Sequence, residues 1–419
     1  CYRCHTYEKF GTRSHHFHDP DSTGADCADC HMPERKYMVI DPRRDHSIRI
    51  PRPDLSEKLE TPNACNHCHT DKSTKWATDK VLEWYGSDFI EKTHYGEIIK
   101  AARDLVPGAG NYLMNLINDK EYPDIVRATA LSLLDRYPSP QVVETLRQNL
   151  YDTSPLVRLG AIRSLEIVEY RDRLNMAKHL LKDPVLSVRQ ESAFALSEIP
   201  SDLMTASEWQ TLQAALEEYI QIQLFNGDRP SSHLNLGVLY IRSGEWEKAE
   251  SAYKTAIKLE PVYMLAYVNL ADLYREQGRE QEAEQILREA LTINQMSAEV
   301  QQSLGLLLVR TGRKKEALSH LKQAALLRPN DAYMAYLYGL SLHDSGDTEE
   351  ALPVLEQSLG KNPYNQNILL ALVTLNRDIG NMRDSRTYIE KLVKYWPENR
   401  GYWQLYQDVQ RRDNQKDLP

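Results

Sequence analysis

Phenylalanine is scarce in this sequence, with 5 residues in 419, and cysteine nearly so, with 6. No stretch approaches the roughly 18 consecutive apolar residues of a membrane-spanning helix, so no membrane span is expected. Positive charge is not in excess either. Lys and Arg number 51 against 60 Asp and Glu, a formal net charge of −9, which excludes the basic footprint of a nucleic-acid binder. Residues 1–95 carry 14 basic and 16 acidic side chains, a balance of −2, and the rest carries −7. Position 1 is Cys rather than Met, with no leader before it. The expectation is a processed or shortened chain, with an upstream segment missing. The 41% hydrophobic and 26% charged content is that of a soluble globular protein, long enough for two or three domains.

The few cysteines are all used in one way. They form Cys1-Tyr2-Arg3-Cys4-His5, Cys27-Ala28-Asp29-Cys30-His31 and Cys65-Asn66-His67-Cys68-His69. Each is C-x-x-C-H, the attachment signature of c-type haem. Two thiols three positions apart on a tight turn can add to the two vinyl groups of one porphyrin, and the following His then lies beneath the iron as its proximal ligand. A zinc ribbon built from Cys1, Cys4, Cys27 and Cys30 is the rival. It strands Cys65 and Cys68 and leaves the three histidines unexplained. A thioredoxin-like C-x-x-C would need a βαβ setting that the surroundings lack. A thioether to haem would also occupy the sulfur needed for a lipid on Cys1.

Of 13 histidines, nine lie at or before His94. With His5, His31 and His69 as proximal ligands, a low-spin electron carrier needs a second imidazole or thioether on each iron. The distal candidates are His15, His18, His46 and His94, with His16 as a substitute for either neighbour. His67 reads as a spacer. Met32 and Met38 more often pack against a porphyrin than ligate it. Arg43, Arg44, Arg49 and Arg52 surround His46 and suit pairing with haem propionates.

Residues 1–73 show little helical periodicity. Asp41–His46 and the Pro51/Pro53 stretch read as extended loop. Ser73 or Thr74 then caps a short helix that stops at Gly86, with Trp76, Val81 and Trp84 on one face. The tryptophans suit core packing or a haem wall. From about residue 96 amphipathic helices take over. Val126-Arg127, Val157-Arg158 and Val188-Arg189 recur at a 31-residue step, as do Asp152 and Asp183, which predicts HEAT-like helix pairs. From Pro230, Gly244, Gly278, Gly312, Gly346 and Gly380 recur every 34 residues, with Ala249, Ala283, Ala317 and Ala351 in step. That is the tetratricopeptide pattern, opened by a degenerate helix at Ser207–Phe225 and closed by a capping helix at Gly401–Arg412.

The fold class expected is mainly α: a loop-rich multihaem cytochrome c segment followed by a HEAT-like and tetratricopeptide α-solenoid. The domains are 1–95, 96–205 and 206–419. The chain thus resembles multihaem c-type cytochromes with C-terminal tetratricopeptide repeats. Its haem region is similar to the cytochrome c nitrite reductase and hydroxylamine oxidoreductase superfamily, through His15-His16-Phe17-His18, Cys27–Pro33, Arg43–His46, Pro51–Leu55, Pro62–His69 and His94–Glu97. The resemblance implies a first haem motif upstream of Cys1. A surplus distal His could then serve that haem or one on a neighbouring subunit.

The expected function is an electron conduit: three c haems with two His each pass single electrons, and the helical repeats dock redox protein partners. The alternatives are a multihaem redox enzyme that reduces nitrite or oxidises hydroxylamine, and a subunit of an extracellular cytochrome homo-oligomer or filament. No C-x-x-C-K variant occurs and distal histidines are plentiful, which favours the conduit. Covalent haem is attached outside the bacterial cytoplasm, so the expected location is periplasmic or extracellular, in an exported prokaryotic protein. The tyrosines on the repeat helices read as core or groove packing, and none is assigned to a peptide ligand.

Overall fold

The computed structural model describes residues 1–38, 40–90 and 93–416, without the side chains of Phe89 and residues 414–416. The chain divides into two compact units, Cys1–Arg103 and Asp104–Pro419. Sequence composition placed the first change at 95/96. The helix Tyr95–Arg103 instead packs with the first unit, against Pro53–Leu59.

In the first unit the three motifs form tight helical turns. The amides of Cys4 and His5 both donate to the Cys1 carbonyl. Cys27–His31 is a short helix whose N-cap, Asp26, accepts the Ala28 amide at 2.8 Å. Cys65–Cys68 is a single turn. Thr74–Tyr85 is the longest helix here, capped by Ser73 and ended by Gly86 at φ 81°, as the sequence predicts. Two stretches read as loop prove ordered. Pro53–Leu59 is a helix, because proline suits a first helical position and Asp54 complements the helix dipole there. Asp41–Arg44 pairs antiparallel with Glu34–Tyr37 in a two-stranded hairpin.

Among the described residues, the apolar side chains buried in this unit are Pro53, Leu55, Ala77, Val81 and Ala102. So small an apolar interior cannot by itself offset the entropy of ordering about 100 residues.

Among the described residues, the regular elements of the second unit are all helices. Its first part stacks pairs that include Asp124–Leu131, Pro155–Arg163 and Leu186–Leu196. Each Val-Arg dipeptide lies in the first turn of one of these helices, with the valine turned inward. Helices 124–131 and 155–163 approach so closely that a Cβ on Gly160 would lie 2.4 Å from the Ala128 carbonyl oxygen. Thr205 then forms a capping box with Glu208 to open the helix Ala206–Phe225.

Ten further helices, from Pro230–Arg242 to Met382–Tyr395, make five antiparallel pairs, and Arg400–Lys416 follows. The five glycines at 34-residue steps sit in the turns inside the pairs, at φ between 73° and 95°, a region that glycine enters without steric cost. Ala249, Ala283, Ala317 and Ala351 are fully buried where the helices cross. Tyr267, Leu270, Leu304 and Leu308 continue that interior from one pair to the next.

Candidate functional site

The candidate ligands lie on short turns of the first unit. His5, His31 and His69 each follow the second cysteine of a motif. None of the six cysteines is in a disulfide. Burial, and then the neighbouring Cys65, pushes the Cys30 thiol up to about 11. Burial raises the Cys65 thiol as well.

Two of the three histidines that close a motif lie near another imidazole. The His15 and His31 ring centres lie 6.2 Å apart with planes 11° from parallel. Those of His18 and His69 lie 6.1 Å apart at 32°. An imidazole nitrogen binds a first-row metal at about 2 Å and its ring centre lies about 1 Å beyond, so two imidazoles gripping one metal from opposite sides put their centres about 6 Å apart. Both pairs match that spacing in centre-to-centre distance.

Hydrogen bonds also set which nitrogen is available. A carbonyl oxygen can only accept, so His31, whose Nδ1 lies 2.8 Å from the Arg49 carbonyl, carries its proton on Nδ1 and leaves Nε2 free. His18 donates from Nδ1 to the His16 carbonyl in the same way. These are the outer contacts that orient a metal-binding imidazole. Burial, then His31, lowers the pKa of His15 and keeps it neutral, the form in which imidazole binds metal.

The other candidates differ. His46 donates from Nδ1 to the Arg44 carbonyl at 2.8 Å, which leaves its Nε2 open. His94 accepts the Gly96 amide on Nδ1, and His16 accepts the His18 amide on Nδ1. In both the proton then sits on Nε2. Among the described residues neither His46 nor His94 pairs with a proximal imidazole, and His5 packs edge-on against Phe10 at 5.0 Å. Met38 is 77% exposed. The arginines around His46 already have partners within the chain. Arg43 pairs with Asp41, Arg44 with Asp29, and Arg52 with Asp54 through two 2.7 Å contacts, while Arg49 donates to Ser47.

The tryptophans lie beside the pairs. Trp76 is 4.8 Å from the ring of His69, and Trp84 is 6.2 Å from that of His18. Sequence reading passed over Phe10, Phe17, Gly24 and Tyr85, all of which touch the histidine segment. The only signal for Phe17 was its place between His16 and His18.

Among the described residues no three His, Cys, Asp or Glu side chains gather as a self-contained metal site. Imidazole pairs supply two donors, which suits an iron whose other four positions are filled by a porphyrin. Three porphyrins would also supply the apolar mass that the polypeptide of this unit lacks. The second and third motifs, with His15 and His18, fit the group.

In the second unit, about 370 Å³ of polar cavity is bordered by Glu166, Tyr170, Arg173, Glu198 and Arg242. The repeat arginines are bound into the scaffold. Arg127 Nη2 donates to Asp152 at 2.7 Å and Arg158 Nη2 to Asp183 at 2.9 Å, each 25 residues on. Arg189 makes a two-pronged contact with Glu218. In the later repeats Arg279 bridges Glu250 and Glu282, and Arg313, 34 residues on, bridges Glu284 and Glu316.

Comparison with known families gives HEAT repeats over residues 111–197. Tetratricopeptide repeats match 234–298 and 303–366, and a second tetratricopeptide family matches 342–409. No curated protein matches the chain. Similar solved structures include the MamA protein (20% identity, 41% of this chain and 94% of that one, TM-score 0.36). PilF of Pseudomonas aeruginosa matches at 18% identity over 54% of this chain and 98% of its own (TM-score 0.37). A tetratricopeptide repeat protein from Parabacteroides merdae matches at 20% over 44% and 73% (TM-score 0.38). The chain therefore contains HEAT repeats followed by tetratricopeptide repeats, repeat types suited to binding other proteins.

Proposed function

We propose that the first unit is a three-haem c-type cytochrome that relays single electrons, and that the solenoid docks its protein partners. The observation that carries this reading is the pairing of His31 with His15, and of His69 with His18, at the spacing of two ligands on one iron. Each pair contains the proximal residue of one C-x-x-C-H motif.

When bound, a c haem supplies a one-electron iron couple. The chain's own residues do the rest. Cys1 and Cys4, Cys27 and Cys30, and Cys65 and Cys68 fasten the three groups. His31 and His18 are held in the tautomer that presents Nε2 by the Arg49 and His16 carbonyls. His46, whose Nε2 is left open by its bond to the Arg44 carbonyl, is a further candidate ligand. His31 with His15, and His69 with His18, would leave a bound iron no open position for a substrate, which favours relay over catalysis.

The HEAT and tetratricopeptide repeats support partner docking, because stacked repeats present extended surfaces. On this reading the protein works in the periplasm or outside the cell of a prokaryote, where c haem is attached. The test is the ferric electron paramagnetic resonance spectrum of the purified protein. Relay predicts low-spin signals alone. A high-spin signal that responds to nitrite or hydroxylamine would replace this reading with that of an enzyme.

A further inference from the structure

His15 and His18 are three residues apart, and on a continuous helix such residues share one face. Here they pair with two different proximal histidines, His31 and His69. The division occurs at Phe17. The helix Arg13–His16 ends there, and Phe17 adopts a left-handed backbone, φ 57° and ψ 20°. A bulky L-residue avoids that region, so its surroundings must hold it.

They do so from several sides. The Phe17 ring lies flat on Trp84, centres 4.5 Å apart and planes 1° from parallel, and meets Tyr85 edge-on at 5.8 Å. Tyr85 donates its hydroxyl to the His15 carbonyl. Trp84 also borders His18 edge-on. Beyond His18, a Cβ on Gly24 would lie 2.2 Å from the ring Cδ2 and 2.7 Å from Nε2. Only glycine leaves the ring where it is.

We propose that Phe17, Trp84, Tyr85 and Gly24 are positioning residues that split His15 and His18 between two irons. This rests on the haem reading above. Both ligands hang from one turn, so a disturbance at Phe17 reaches two haems, whereas one at Gly24 reaches only the haem bound by His69.

The experiment compares the full chain with Gly24→Ala, Phe17→Ala and Trp84→Phe, using intact mass, ferric electron paramagnetic resonance and redox titration. Every variant keeps its three haem additions, because the thioethers are untouched. Gly24→Ala converts one low-spin haem to high spin and moves its midpoint potential. Phe17→Ala converts two. Trp84→Phe, which retains a stacking ring, keeps all low-spin signals. Where Phe17→Ala does not accumulate, Phe17→Gly, which eases the left-handed turn but loses the ring, gives the same reading. A wild type with three low-spin haems whose Gly24 and Phe17 variants are spectroscopically identical to it overturns the clamp. A wild type without haem overturns the function proposed above instead.

Discussion

Replacing Asp152 with Asn removes one charge from the repeat ladder while keeping the side chain's shape. Asp152 is 3% exposed at its side chain and meets Arg127, also 3% exposed, at 2.7 Å, and Lys120 at 2.8 Å. Its other oxygen accepts the Ser154 amide at 2.9 Å, a bond that Asn can keep. Burial alone would raise this carboxyl, but the hydrogen bonds from Lys120 and Arg127 outweigh it and hold the pKa down at about 2, against 3.8 unperturbed. At 1.36 kcal/mol per pKa unit the difference amounts to roughly 2 kcal/mol. Leaving a buried guanidinium without its anion can cost about 3–5 kcal/mol, so the expected loss at pH 7 is about 2–5 kcal/mol. The assay is urea unfolding of the solenoid followed by circular dichroism, for wild type and Asp152→Asn, from pH 7 to pH 2. A depressed carboxyl stabilises above its unfolded pKa and loses that contribution as pH falls through its folded pKa. The two curves therefore lie apart at neutral pH and converge between about pH 4 and pH 2. A variant within about 0.5 kcal/mol of wild type at pH 7, or a gap that ignores pH, refutes the reasoning.

Other outcomes follow from the same geometry. Gly160→Leu forces a side chain against the Ala128 backbone and should cost at least about 1–3 kcal/mol, read as a lowered urea midpoint. Arg313→Ala removes contacts between side chains 22–41% exposed and should cost about 1 kcal/mol or less, so the same titration should barely move. Gly278→Ala, at φ 73°, should lose about 1 kcal/mol from left-handed strain. Cys65→Ala with Cys68→Ala should leave a protein with one haem fewer by mass, the other two unchanged.

The solenoid was legible because its physics is periodic. A 34-residue step in Gly244 to Gly380 and a 31-residue step in Arg127, Arg158 and Arg189 each state a repeated solution to the same packing problem, and the helices fall where those steps place them. The steps do not reveal that Arg158 reaches forward to Asp183, because that pairing depends on how one repeat stacks on the next. In the first unit the spacing of thiols and imidazoles gave the candidate chemistry, whereas the choice among distal histidines is made in space. His15 and His18 differ from His46 and His94 in flanking the left-handed turn at Phe17, each with its ring near that of a histidine that closes a motif. The helix at Pro53 was missed because proline was read as a breaker, although it opens helices as readily as it ends them. The strand Asp41–Arg44 was missed because Asp and Pro are poor strand formers, and its partner Glu34–Tyr37 decides the matter.

The central claim is that C-x-x-C-H turns and paired imidazoles hold three covalent haems. Its most direct test is the intact mass of the chain, produced in a host that attaches c haem in its periplasm, together with the absorption spectrum of the reduced protein. The account predicts a mass increased by three haems and the bands of bis-imidazole c haem. A colourless protein at polypeptide mass, or one carrying zinc on its thiols, would contradict it.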